Sequence, residues 1–152
     1  MIDRSVMKHV KGTVDKIEKS IFPTLRQVIT THSDKIKAYN TQEQLFDKGI
    51  NSISVRLAKY AESTRKIKIR KGQPTDRTTL KDTGDFYRSF NVISQGDQFI
   101  IEASVEYAKY LVNRYGKEII GVTDMNLAEF VEKYAQPEVE ANITKIINSN
   151  KL

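Results

Sequence analysis

The chain has no cysteine, three prolines, two histidines and no long apolar run. The missing thiols exclude a disulfide framework, thiolate nucleophiles and Cys-based metal sites. His9 and His32 fall on what read as separate helices, with no carboxylate at ligand spacing, so the reading is surface or core-edge histidines. Nothing approaches the roughly 20 apolar residues that cross a bilayer, so no membrane association is expected. The seven glycines are scattered, which argues against a phosphate-cradling loop. Asp82 and Asp85 lie three apart and could share a helix face for acid/base work or a divalent ion. The favoured reading is plainer: one caps a helix and the other sits in its first turn. No catalytic residue, cofactor or metal is expected.

What is present fits one domain. The chain has 152 residues, 39% of them hydrophobic and 29% charged. The opening Met1-Ile2-Asp3-Arg4-Ser5-Val6 lacks the apolar core of a signal peptide. The expectation is a protein made and used in cytosol, or carried from the cell inside an assembly. The net charge of +6 is unevenly placed. Residues 56–81 hold nine Lys/Arg against two Asp/Glu, whereas residues 82–152 hold seven against eleven. Such polarity suits DNA, an acidic partner or head-to-tail packing of identical subunits.

Hydrophobic periodicity gives an α+β domain over residues 1–152: helices in 1–40, a core with a small antiparallel hairpin in 41–122, and a C-terminal helix in 123–152. Val6, Val10, Val14, Ile17 and Ile21 make a 3.6-residue stripe. Phe22-Pro23 should end that helix, and Pro23 should start the next, striped by Leu25, Val28, Ile29, His32 and Ile36. Thr41-Gln42-Glu43-Gln44 matches a capping box, and Gly49 is the natural stop. Residues 50–60 are ambiguous, with a helix through Ala58 favoured. Ser63-Thr64 can cap 65–71, where Ile67 and Ile69 alternate like a strand while Gly72 argues a short helix. Residues 73–78 read as loop. Phe90–Ser94 and Gln98–Ala103 read as strands joined by Gln95-Gly96-Asp97. A helix over 104–115 ends at Gly116. Thr123 caps the next, striped by Leu127, Phe130, Val131 and Tyr134, and Pro137 kinks or restarts it. Val139, Ile143, Ile146 and Ile147 then form a face for a neighbouring subunit or for the chain's own first helix.

The densest stretch is Leu80-Lys81-Asp82-Thr83-Gly84-Asp85-Phe86-Tyr87-Arg88-Ser89-Phe90. Asp82 or Thr83 can accept from free backbone N–H groups, and Gly84 should have positive φ or no room for a Cβ. Phe86, Tyr87 and Phe90 put an aromatic face on one helical turn, with Phe86 and Phe90 buried. Of the tyrosines, Tyr60, Tyr87, Tyr107, Tyr110, Tyr115 and Tyr134 could stack bases, but core or interface packing is favoured. Arg65, Lys66, Lys68, Arg70 and Lys71 are the candidate contacts to DNA or an acidic partner.

This stretch resembles the L-x-x-TG-x-L/F-x-x-S-I/F signature of tail-completion and head–tail joining proteins of tailed bacteriophages. The matching positions are Leu80, Asp82, Thr83, Gly84, Phe86, Ser89 and Phe90. The likeness extends over roughly 45–121: a basic Ser/Thr segment at Ser63-Thr64-Arg65-Lys66 precedes the motif, a hairpin follows it, and Tyr107-Ala108 opens the next segment. It implies a non-enzymatic structural protein in the virion neck or tail, present in host cytoplasm during assembly. It also implies a ring of six or twelve copies that meets portal or adaptor and tail proteins and passes DNA through its lumen. The alternative from composition is a small basic nucleic-acid-binding protein.

Overall fold

A computed structural model describes residues 3–151. The hairpin forms as expected: β1 (Phe90–Gln95) pairs antiparallel with β2 (Gln98–Ala103) across Gly96-Asp97. Its register sets Phe90 against Ala103, Val92 against Ile101 and Ser94 against Phe99, so these six side chains share one face. That face serves two clusters. Val92 and Phe99, toward the turn, pack on Val28, Ile29, Ile36, Tyr39, Phe130 and Ala135. Phe90 and Ala103, at the base, join Leu45, Leu57, Phe86, Ala108 and Ile119. Ile101 touches both. The fold class is α+β.

Helices supply the rest. α1 (Arg4–Thr31) starts at Asp3, whose carboxylate accepts from Ser5 N at 3.1 Å. It does not break at Pro23, contrary to expectation. Pro23 is exposed, at the edge of the groove between α1 and the C-terminal helix. The helix loses one backbone bond there, while the Thr24 hydroxyl donates to Ser20 O at 2.7 Å and Ser20 to Ile17 O at 2.7 Å. His9 and His32 therefore lie at opposite ends of one helix, not on two.

α2 (Ser33–Ala38) runs into a π-helical stretch, Tyr39–Lys48, that ends at Gly49 with φ +62°. The capping box at Thr41 is not used. Thr41 lies inside the helix and donates to Lys37 O at 2.9 Å, while Gln44 turns into the core. The helix favoured through Ala58 is absent as well. Asn51 Oδ1 accepts from Ile53 N at 3.1 Å and Val55 N at 2.9 Å, folding 50–56 into a loop with one bridge between Ile50 and Arg56.

α3 (Glu62–Arg70) resolves the strand-or-helix ambiguity toward helix. Its cap position is Ala61, so Ser63 and Thr64 lie in the first turn rather than capping it. α4 (Asp85–Arg88) is the single turn of the central motif. α5 (Ala108–Tyr115) starts later than expected, after a turn over 104–107, and a 3₁₀ turn follows at Lys117–Ile119. α6 (Asp124–Phe130) is capped by Thr123, which accepts from Asn126 N at 3.2 Å. A π turn (Val131–Ala135) leads into α7 (Gln136–Ser149). Phe130 of α6 is buried, but Leu127 and, in the π turn, Val131 face solvent, while Asn126 takes the inward position.

α7 packs antiparallel along α1, with Asn150 meeting His9 and Lys16 while Glu138 lies near His32. Val139, Ile143 and Ile146 are half-buried in that seam and Ile147 remains exposed, so the chain's own helix takes most of the C-terminal stripe. No residue of α7 is fully buried.

Phe90 is wholly buried and meets Phe86 edge to face at 4.9 Å. Phe90→Ala should cost about 3–5 kcal/mol in equilibrium urea unfolding, the usual loss for a large aromatic in a core. An unchanged unfolding midpoint would place Phe90 outside the cooperative core.

Candidate interaction face around the central motif

The loop entering the motif is fixed before the motif begins. The Tyr60 hydroxyl accepts from Thr79 N at 2.9 Å and Leu80 N at 3.1 Å. The Tyr87 hydroxyl returns from α4 to donate to Thr79 O. Burial first, then the neighbouring Tyr60 and Asp47, pushes the Tyr87 phenol well above its ordinary range, so it stays protonated as a donor. Thr78 donates to Ala58 O at 2.6 Å, and Arg77 Nε to Phe46 O at 2.6 Å. These anchors hold Leu80 at φ +57°, a left-handed conformation costing a non-glycine residue about 1–3 kcal/mol.

The motif then turns on Gly84, at φ +90°. A Cβ there would also stand 2.8 Å from Arg88 Nη1, the movable end of a long side chain. The expected positive φ is present. The cap differs from expectation: Gly84 itself holds the cap position, and Thr83 Oγ1 is a distant 3.4 Å from Asp85 N. Thr83 instead donates to Asp85 Oδ2 at 2.6 Å. Phe86 and Phe90 are buried as expected. Ser89 closes the turn by donating from Oγ to Phe86 O at 2.7 Å, and its carbonyl accepts from Ser104 N at 3.1 Å, the first rung of the hairpin.

The two aspartates are not a paired carboxylate site. Asp82 accepts from Lys71 Nζ at 2.7 Å and from Gln73 Nε2 at 3.2 Å, while Asp85 is held by Thr83 and Arg88. These hydrogen bonds keep both carboxyls below the ordinary 3.8. Among the described residues no group of three His, Asp or Glu could hold a metal ion.

The basic helix α3 departs most from the sequence reading. Lys68, taken as a candidate contact to DNA or an acidic partner, is buried at 6% exposure. Its ammonium donates to Lys81 O at 2.8 Å and Gln73 Oε1 at 3.1 Å, and lies 4.8 Å from the centre of the Tyr60 ring. Lys68 thus ties the basic helix to the motif loop and has no surface role. Lys71 is committed to Asp82, and Arg65 lies 3.9 Å from Glu62. Lys66 and Arg70 make no ion pair among the described residues and form the exposed crest. With a lysine inward, Ile67 and Ile69 are 46% and 52% exposed, the reverse of ordinary amphipathicity.

Between the motif and α5 lies a groove of about 540 Å³, floored by Leu80, Phe86 and Leu111 and rimmed by Lys81, Asp85 and Arg114. Tyr107 and Tyr110 are exposed rather than packed, whereas Tyr60, Tyr87, Tyr115 and Tyr134 are half-buried. Comparison with family models, with curated proteins and with solved structures gives no match. No described helix is long and apolar enough to cross a membrane.

Gly84→Ala should lower unfolding free energy by about 1–3 kcal/mol through left-handed strain, and Gly84→Asn by less, since asparagine tolerates that region. Equal losses from the two would assign the effect to contact with Arg88 rather than to φ. The lowered Asp82 carboxyl stabilises the fold above its unfolded value, and that contribution disappears as pH falls through and below 3.8. The pair is half-exposed, so Asp82→Asn should lower Tm at pH 7 by about 2–4 °C at most. Near pH 2 the variant and parent should melt together; a gap that persists there would mean that Asp82 acts through packing.

Proposed function

We propose that this chain is a structural component of a tailed-bacteriophage virion, one subunit of a ring in the head–tail connector or at the completed tail end. The main support is how the motif residues are used. Gly84 supplies the turn, Phe86 and Phe90 the core, Ser89 the first hairpin rung, and Asp82 and Thr83 local hydrogen bonds. All serve architecture, as the resemblance in the same stretch implies. The exposed surface left over combines aliphatic side chains with charge, which suits protein contacts. The partners in this reading are further copies of the chain, portal or adaptor proteins and tail proteins, with DNA passing through the lumen. Alone, the chain is a monomer or associates weakly, and it closes into six or twelve copies on the assembled neck.

The nucleic-acid-binding alternative loses much of its footing, because Lys68 is buried and Lys71 is paired. Quantitative mass spectrometry of purified particles should find the chain in six or twelve copies per portal vertex. Its deletion should leave DNA-filled heads without functional tails. Absence from the particle, or a single copy, would overturn the proposal. So would tight binding to free duplex DNA, weakening with a log–log salt slope of about −0.9 per phosphate contacted, by a chain that particles lack.

A further inference from the structure

Two exposed patches on this molecule match in composition and oppose in charge. The first is the outer side of α3. Because Lys68 points inward, the 100° step per residue puts Ile67 and Ile69 on its flanks and Lys66 and Arg70 on its crest. The second is the outer side of α6 and the π turn after it. There Asn126 and Phe130 point inward, leaving Leu127 and Val131 at 40% and 47% exposure beside Asp124 and Glu132. Each patch offers two aliphatic side chains and two like charges. They stand on different parts of the molecule: α3 lies over Tyr60 and the motif loop, whereas α6 packs into the cluster of Val28, Ile36 and Tyr39.

We infer that the α3 patch of one copy docks on the α6 patch of the next, forming a head-to-tail contact between identical chains. The inference rests on the reading of the chain as a ring subunit and names the surfaces that would join its copies. Charge selects the pairing. Other exposed apolar surfaces of the described residues fit α3 less well: Met7, Val10 and Val14 on α1 stand among Arg4, Lys8 and Lys11 as well as Asp3, and Ile93 opposite Ile100 on the outer hairpin face has a single carboxylate beside it, Glu102. A contact between two unlike patches is heterologous, so it propagates and closes only if the rotation allows, as a ring needs. The aliphatic pairs supply affinity, and the charges steer encounter and fix register.

The absence of native cysteine makes the test direct, because introduced thiols are the only ones present. Ile69→Cys and Val131→Cys chains are purified separately, mixed at high concentration and oxidised mildly, so that transient encounters accumulate as disulfides. The mixed Ile69–Val131 product should dominate both self-paired products, and a chain carrying both substitutions should give a ladder of covalent multimers. Lys66→Glu with Arg70→Glu should abolish the mixed product. Adding Asp124→Lys with Glu132→Lys on the other face should restore it, which a simple folding defect could not do. Dominant self-paired dimers, no mixed product, or no rescue would each overturn the inference. If the chain is nonetheless found in particles in many copies, the virion reading survives and only this interface falls. If the mixed product forms but particles lack the chain, the interface stands and the virion reading falls.

Discussion

Two buried amide side chains join the halves of this molecule. Asn40 Nδ2 donates to Ile119 O at 3.0 Å, and its Oδ1 accepts from Gly121 N at 2.8 Å. One turn later Gln44 Nε2 donates to Gly121 O at 2.8 Å, and its Oε1 accepts from Thr123 N at 2.9 Å and Asn126 Nδ2 at 3.2 Å. Residues 119–123 are thereby bonded through side chains and have no strand partner. The segment carries Ile119 into one hydrophobic cluster and leads to α6, which serves the other. A buried amide or carbonyl left unpaired costs about 1–3 kcal/mol, and several would be orphaned if this clamp were removed. The π-helical winding of 39–48 accompanies the clamp, with Tyr39, Asn40, Thr41, Gln44 and Leu45 all buried.

The same logic runs through the basic helix. An ammonium is costly to bury, yet Lys68 meets a backbone carbonyl, an amide oxygen and an aromatic face. Its inward position forces aliphatic residues outward on both sides. A charged side chain thus sets the apolar character of the surface above it.

Features encoded by neighbouring residues were legible in the sequence. The hairpin follows from period-two alternation around Gly96-Asp97. Thr123 caps its helix through a bond three residues away, and Gly84 and Gly49 adopt the positive φ that their positions ask for. Features that depend on distant partners were not. Pro23 reads as a break, but α1 continues through it alongside α7, more than a hundred residues away in sequence. Thr41 and Gln44 have capping-box spacing, yet Gln44 is drawn inward by a segment 77 residues away. Lys68 looks like its neighbours in a charge run, and only Lys81 O and Tyr60 distinguish it. In the candidate site, the positive φ of Gly84 and the burial of Phe86 and Phe90 were legible, whereas the cap position taken by Gly84 itself was not. The polarity of α3 was not, because no local signal marks which lysine of a run turns inward; the aliphatic residues beside Lys68 were the available hint.

The pairing of α1 with α7 has a mechanical consequence. At 1.5 Å per residue α1 is about 42 Å long, while the buried residues it contributes are Val28 and Ile29 near its carboxyl end. Its amino-terminal half is steadied chiefly by α7, a helix without one fully buried side chain. α7 is joined to the rest through the π turn at Val131–Ala135, a winding with weaker geometry than an α-helix. Few buried contacts and a half-exposed seam are the features of the least protected part of a fold. The molecule is thus a core carrying a long shaft, with α7 laid along it as a splint. Bracing of the amino-terminal half of α1 therefore falls to one partly buried seam, tied at its far end by Asn150 to His9 and Lys16.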